Sequence, residues 1–195
     1  MTDNEPVKSA PTKPRYHILV TLGLAIAAVA FTLIMKQGLD LDQRQIPSVL
    51  LEKPAKDFSV AWLQGKDIIG HSDQTHLSLG DLKGRPMIVN FWASWCYSCR
   101  QEAKDFEAFW QRYRSSGLVV VGIAIQDTPE AALSFARQYG KSYILGLDED
   151  GKAAIDYGVT GVPETFVINR DGKVIYKEAG PMTAERLSEV AEKLF

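Results

Sequence analysis

Cysteine is scarce in this chain. Its 195 residues hold two, Cys96 and Cys99, with three histidines, His17, His71 and His76. A disulfide-stapled scaffold needs more sulfur than this. A zinc site needs a second cysteine pair or histidines at ligand spacing, and the sequence offers neither. An excess of one charge is also lacking: 22 Lys and Arg stand against 24 Asp and Glu, a net of −2. Such a balance gives no electrostatic footprint for nucleic acid. Internal repeats and low-complexity tracts are absent too. What remains, at 46% hydrophobic and 24% charged, reads as one globular domain with an appendage.

The appendage is N-terminal. Residues 1–17 are polar and proline-rich, with Lys8, Lys13 and Arg15 ahead of an unbroken apolar run from Ile18 to Met35. At about 1.5 Å per residue that run nearly matches a hydrocarbon core of roughly 30 Å. A cleaved signal peptide, with Ala28-Val29-Ala30 as cleavage site, is the alternative. It would leave Phe31-Thr32-Leu33-Ile34-Met35 as an apolar stub, so an uncleaved anchor is the reading adopted. No cysteine lies near the run, which excludes a lipoprotein anchor. Lys36 soon gives way to Asp40 and Asp42, so the positive flank precedes the span. The positive-inside rule then expects residues 1–17 in the cytoplasm, 18–35 in the membrane, a tether over 36–53 and a domain over 54–195 on the far side. For a bacterium this means the inner membrane with the domain in the periplasm, an oxidising compartment where an exposed dithiol must be catalytic.

The two cysteines form a Cys-x-x-Cys pair in Trp92-Ala93-Ser94-Trp95-Cys96-Tyr97-Ser98-Cys99. The buried-strand run Met87–Trp92 leads in and a helical pattern from Ser98 to about Arg114 leads out. A strand that delivers Cys-x-x-Cys to a helix N-terminus makes one sulfur acidic and accessible, because backbone N–H groups and the helix dipole stabilise its thiolate. Cys96 is thereby the expected nucleophile, and Cys99, one turn in, the resolving thiol.

Further strands are expected over 58–63, 118–125, 143–147, 165–168 and 173–177, with a strand-like pair at Ile68-Ile69. A short helical turn or loop is expected over 77–84, and helices over 129–139, 151–157 and 183–194. Phe106, Phe109, Trp110 and Tyr113 form a core-facing stripe, and Trp62 and Trp92 also read as packing. Strand–helix–strand followed by a hairpin and a helix describes an α/β core with a mixed sheet.

Three separated features, Phe91-Trp92-Ala93-Ser94-Trp95-Cys96-x-x-Cys99, Gly161-Val162-Pro163 leading into a strand, and the hairpin after it, resemble the thioredoxin superfamily. Within it, Cys99-Arg100-Gln101-Glu102 and Tyr157-Gly158-Val159-Thr160-Gly161-Val162-Pro163-Glu164-Thr165-Phe166 look most similar to the DsbE-type thiol:disulfide interchange proteins, membrane-anchored periplasmic reductants of cytochrome c maturation. The resemblance spans roughly residues 54–195 and implies a mixed central sheet flanked by helices, with an N-terminal β extension and a central insert. It also implies electron delivery to apocytochrome c, re-reduction by a membrane thiol–disulfide donor, and no cofactor or metal.

Against ordinary cytosolic thioredoxins the chain departs at Asn90, where those proteins carry a buried acid. An amide accepts no proton, so Glu102, three residues after Cys99, is the expected replacement. The resemblance further implies a cis Val162–Pro163 bond that keeps metal ions off the dithiol and lets Val162 pair its backbone with an extended client. Trp95, Tyr97 and Glu164 complete the expected client-contact set, while His71 and His76 are given no role. A broader reductant serving copper-site assembly proteins is the nearest alternative. A copper chaperone of this fold wants three residues between its cysteines and a later histidine, a disulfide-forming oxidant favours His in the dipeptide, and a peroxidase wants a Thr-x-x-Cys motif; the sequence has none of these.

Overall fold

The computed structural model describes residues 16–39, 49–70 and 73–195. The chain divides into two compact units, 1–43 and 44–195. Of the first unit, helix α1 (Tyr16–Leu39) is described, and its segment Ile18–Lys36 is long and apolar enough to cross a membrane, with none of it buried. The N-terminal tail and residues 40–48 lie outside the described residues.

The second unit is a seven-stranded sheet with helices on both faces. In chain order it comprises β1 (Ser59–Gln64), β2 (His76–Ser78), β3 (Met87–Trp92), α2 (Tyr97–Tyr113), β4 (Val119–Ile125), α3 (Pro129–Tyr139), β5 (Ile144–Asp148), α4 (Lys152–Tyr157), β6 (Glu164–Ile168), β7 (Val174–Ala179) and α5 (Ala184–Leu194). Spatially the strands run β2-β1-β5-β4-β3-β6-β7. β3, β4 and β5 are mutually parallel and fully buried, whereas β6, β7, β1 and β2 add antiparallel at the two sides. Runs such as Val119-Val120-Val121 are apolar on both faces because helices cover both. The expected thioredoxin-like α/β fold with a mixed sheet is what forms.

Two expectations about local structure change. Ile68-Ile69 is not strand: Lys66–Ile68 is a 3-10 turn. Gly65 enters it at φ 86°, with its backbone so close to Ile144 that a Cβ would lie 2.9 Å from the Ile144 Cα. Further along, His76–Ser78 pairs with β1 as a short strand before a 3-10 turn over Leu79–Leu82, where Asp81 and Ser78 form a capping box.

Strand alternation sorts the core into two layers. Ile88 and Trp92 of β3, Val120 of β4, Leu145 of β5 and Val167 of β6 pack on one face with α2, α3 and α5. Phe91, Val121, Ile144 and Phe166 pack on the other with Tyr157 of α4 and the N-terminal strands. Asn90 follows the parity of Ile88 and Trp92, and Thr165 that of Val167, so both point under α2. Ahead of β1, the segment around Leu50 is fastened beside the start of β7: Glu52 N–H donates to Val174 C=O at 2.8 Å, and Ala55 N–H to Gly172 C=O at 2.8 Å.

Candidate active site

Helix α2 begins at Cys96, its N-cap, and the Cys96 sulfur accepts the Cys99 N–H at 3.1 Å. Cys96 and Cys99 are joined as a disulfide with Cα atoms 5.3 Å apart. Cys96 is 5% exposed and Cys99 fully buried, so the first sulfur is the more accessible. No acidic side chain occupies the first turn, leaving the positive helix end to act on Cys96 alone.

The loop that carries Cys96 is anchored to the neighbouring strand. β3 and β4 are parallel and in register, Trp92 opposite Ala124, so the loops after them lie side by side. Asp127 accepts the Ser94 N–H at 2.6 Å and the Ser94 hydroxyl at 2.8 Å, and the Trp95 indole donates to the Gln126 C=O at 3.0 Å. Gln126 holds φ 49°, the left-handed region that non-glycine residues rarely occupy. Sequence reasoning missed Gln126 and Asp127, because their role depends on strand adjacency rather than on a local motif. Replacing Asp127 by Ala leaves the Ser94 N–H and hydroxyl without their acceptor. The expected loss is about 1–3 kcal/mol, read as a lower urea midpoint; an unchanged midpoint would show that the loop holds without Asp127.

Around the disulfide, Trp95 is 56% and Tyr97 72% exposed, placing two aromatic surfaces beside Cys96. Val162–Pro163 is cis, and the Val162 C=O lies 3.6 Å from the Cys96 sulfur. In the disulfide that sulfur has no hydrogen, so this is a contact rather than a hydrogen bond. A cavity of about 610 Å³ opens beside these groups, lined among others by Trp95, Asp127, Glu149, Asp150 and Val162. The site lies at the carboxyl ends of parallel strands, where open α/β sheets bind their ligands.

Glu164 does not face this groove. Strand parity sends it to the opposite layer from Asn90 and Thr165, where it is 1% exposed. Its carboxylate accepts the Thr160 N–H at 2.9 Å and pairs with Lys177. Its observed task is to brace the backbone just before Val162, a correction to its expected place among the client contacts.

Glu102 is on the buried stripe of α2 with Cys99, Ala103 and Phe106. Its carboxylate accepts the Asn90 amide N–H at 3.0 Å and the Met182 N–H at 2.8 Å. Asn90 also donates to the Thr165 hydroxyl at 3.1 Å, so the amide positions the acid rather than replacing it. Burial raises the Glu102 pKa well above the carboxylate range; the Met182 and Asn90 hydrogen bonds and the charge of Lys141 partly offset this. Lys141 is a third residue that sequence reasoning missed. It is 7% exposed, with its ammonium 3.7 Å from the centroid of the Trp92 ring. A lysine after a helix-ending glycine reads as a surface cation, and only the aromatic neighbours Tyr139 and Tyr143 hint otherwise.

Of the histidines, His76 is exposed and bonds Thr75, while His71 and the side chain of His17 lie outside the described residues. Among the described residues, no three His, Cys, Asp or Glu side chains come together as a metal site would require.

Two sulfurs that pass between disulfide and dithiol, set at a helix end opposite a cis proline, define a thiol:disulfide oxidoreductase of thioredoxin-like fold. Comparison with known proteins agrees. Residues 51–194 match the Redoxin family model, and the chain belongs to that family. It is 40% identical over 168 residues, 86% of each chain, to the thiol:disulfide interchange protein DsbE of Allochromatium vinosum. With the thiol-disulfide oxidoreductase ResA of Bacillus thuringiensis it shares 31% over 179 residues, 92% of this chain and 95% of that one. Among solved structures, a thioredoxin-family thiol:disulfide interchange protein from Chlorobium tepidum superposes with a TM-score of 0.61 at 26% identity, covering 72% of this chain and 94% of that one.

Proposed function

We propose that this oxidoreductase works as a reductant, anchored in the bacterial inner membrane by residues 18–35 with residues 54–195 in the periplasm. Its client is the disulfide between the haem-binding cysteines of apocytochrome c, and a membrane thiol–disulfide donor restores its own dithiol. The Cys96 thiolate attacks one client sulfur, and the other client sulfur leaves as thiolate. Cys99, giving its proton to Glu102, then attacks the Cys96 sulfur of the mixed disulfide and releases the second client sulfur. Two electrons have moved from protein to client, and the Cys96–Cys99 disulfide remains. Trp95, Tyr97 and the backbone of Val162 beside Pro163 hold the client as an added strand. No cofactor takes part.

The observation that carries the reductant reading is the buried Glu102 carboxylate, three residues after Cys99 on the buried side of α2. A strong oxidant is one whose dithiol form is stabilised through its thiolate. When ionised, a carboxylate one helical turn from Cys99 opposes thiolate charge and tips the couple toward giving electrons up. The kinship with a thiol:disulfide interchange protein supports exchange with a client disulfide, and the resemblance of its motifs to reductants of cytochrome c maturation suggests which one. The test is redox equilibrium of the full-length chain with glutathione, followed by exchange with an oxidised Cys-x-x-Cys-His peptide. A potential close to about −270 mV is expected, and one near about −120 mV would reverse the assigned direction of electron flow.

A further inference from the structure

Lysine is almost never fully buried without a partner. Lys141 is buried between α3 and β5, and among the described residues it makes no direct ion pair. Three aromatic rings hold its ammonium: Trp92 at 3.7 Å, Phe135 at 5.1 Å and Tyr143 at 5.6 Å from the ring centroids. Trp92 belongs to β3, the strand that runs into the Cys-x-x-Cys loop, and all three rings share the core layer of Cys96 and Cys99. An ammonium over a desolvated aromatic face gains less than burying its charge costs. The rings alone do not account for a buried cation here.

The charge that answers it is Glu102: Asn90, which donates to that carboxylate, lies on the same face of β3 as Trp92, two residues before it. Burial lowers the Lys141 pKa and Glu102 raises it back, while Lys141 in turn lowers the pKa of Glu102. A carboxylate removed from water becomes neutral unless something favours its charged form. For Glu102 the favouring groups are the Met182 N–H, the Asn90 amide and Lys141. The first two are dipoles fixed by the fold; Lys141 is the one group that brings a full charge when protonated, burial having lowered its own pKa to about 7. Of the other titratable groups, Asp105 on α2 pushes the opposite way, and Tyr143, just ahead of β5, is kept un-ionised by burial and by Glu102 and Glu107. The two cysteines complete the set, since β3, β6 and the Met182 segment contribute only Asn90, Thr165 and a backbone N–H.

We propose that Lys141 is a positioning residue for the exchange reaction: its ammonium, seated on Trp92, holds Glu102 as a carboxylate ready to take the Cys99 proton. This rests on Glu102 being the proton acceptor in the resolving step. In that step the Cys99 S–H proton passes to Glu102. The freed thiolate forms the S–S bond to Cys96, and the Cys96–client bond breaks with its electron pair on the client sulfur. Without Lys141, Glu102 keeps its proton to a higher pH than in the wild type, and a smaller fraction can take the proton of the thiol.

The test uses the full-length chain in detergent, as wild type, Lys141→Met, Lys141→Arg, Glu102→Gln and the Glu102→Gln/Lys141→Met double variant. Infrared titration of the oxidised protein follows the Glu102 carboxylate. Stopped-flow release of the second thionitrobenzoate from an aromatic disulfide follows resolution by Cys99. In Lys141→Met the carboxylate should titrate at least one pH unit higher, with resolution about tenfold slower on the acid side, one unit being a factor of ten. Lys141→Arg should restore most of both, and the double variant should match Glu102→Gln. Should the Met variant fail to fold, Lys141→Gln makes the same comparison. A Lys141→Met protein whose carboxylate and rate profile track wild type, while Glu102→Gln alters them, overturns the role of Lys141 alone. A Glu102→Gln profile like wild type overturns both assignments.

Discussion

Cys99→Ser is expected to leave Cys96 locked to its client as a stable mixed disulfide, whereas Cys96→Ser should drop exchange to the uncatalysed rate. The asymmetry comes from the start of α2. Cys96 caps the helix, accepts the Cys99 N–H and retains some exposure, while Cys99 lies wholly inside. A thiolate at Cys96 has a hydrogen bond and the helix dipole to stabilise it. Cys99 gains its attacking form only after its partner sulfur is bonded to another protein. Non-reducing electrophoresis and peptide mass mapping, after mixing each variant with an oxidised dithiol peptide, read the result. An adduct that accumulates through Cys99 in the Cys96→Ser protein would reverse the order of attack.

Trp92→Ala is expected to cost about 3–5 kcal/mol of stability, one of the largest losses from any single truncation in this domain. The indole is fully buried, lies 4.9 Å from Phe135 by ring centroids, and carries the ammonium of Lys141. Its Nε1 sits where a Cβ on Gly122 would come within 2.9 Å, so β4 has yielded space to it. Neighbours packed this tightly cannot collapse into the hole, and Lys141 would lose the face on which it rests. Urea denaturation of the oxidised proteins checks this, with Trp95→Ala as the contrast. That ring is 56% exposed, and its truncation should cost far less. Equal losses for the two would mean that the buried indole is not integral to the core.

The fold was legible where local chemistry decides it. Met87–Trp92 and Leu118–Ile125 could be read as buried strands because they are apolar on both faces, and Thr128-Pro129 with Gly140 bounds α3 by its own capping groups. Cys96, Cys99, Glu102 and Pro163 could be singled out as candidates because spacing and order along the chain carry their meaning. Ile68-Ile69 misled because β-branched residues suggest a strand, while the close approach of Gly65 to Ile144, far away in sequence, sets a turn there. Glu164 misled because being next to Pro163 says nothing about which side of the sheet a side chain takes; pairing with β3 settles that. Lys141 was beyond sequence reasoning, since nothing near it foretells that Trp92, 49 positions earlier, will meet its ammonium.

The stitching of residues 52–55 to the first residues of β7 has a geometric outcome. β7 starts opposite Ile168, which itself pairs with Met87, the first residue of β3, whereas the sulfurs follow the last. About 16 Å of strand, at roughly 3.3 Å per residue, separates this fastening from the reactive pole. The strap of residues 52–55 therefore grips the sheet at the end away from the sulfurs, and loosening it should leave their surroundings in place.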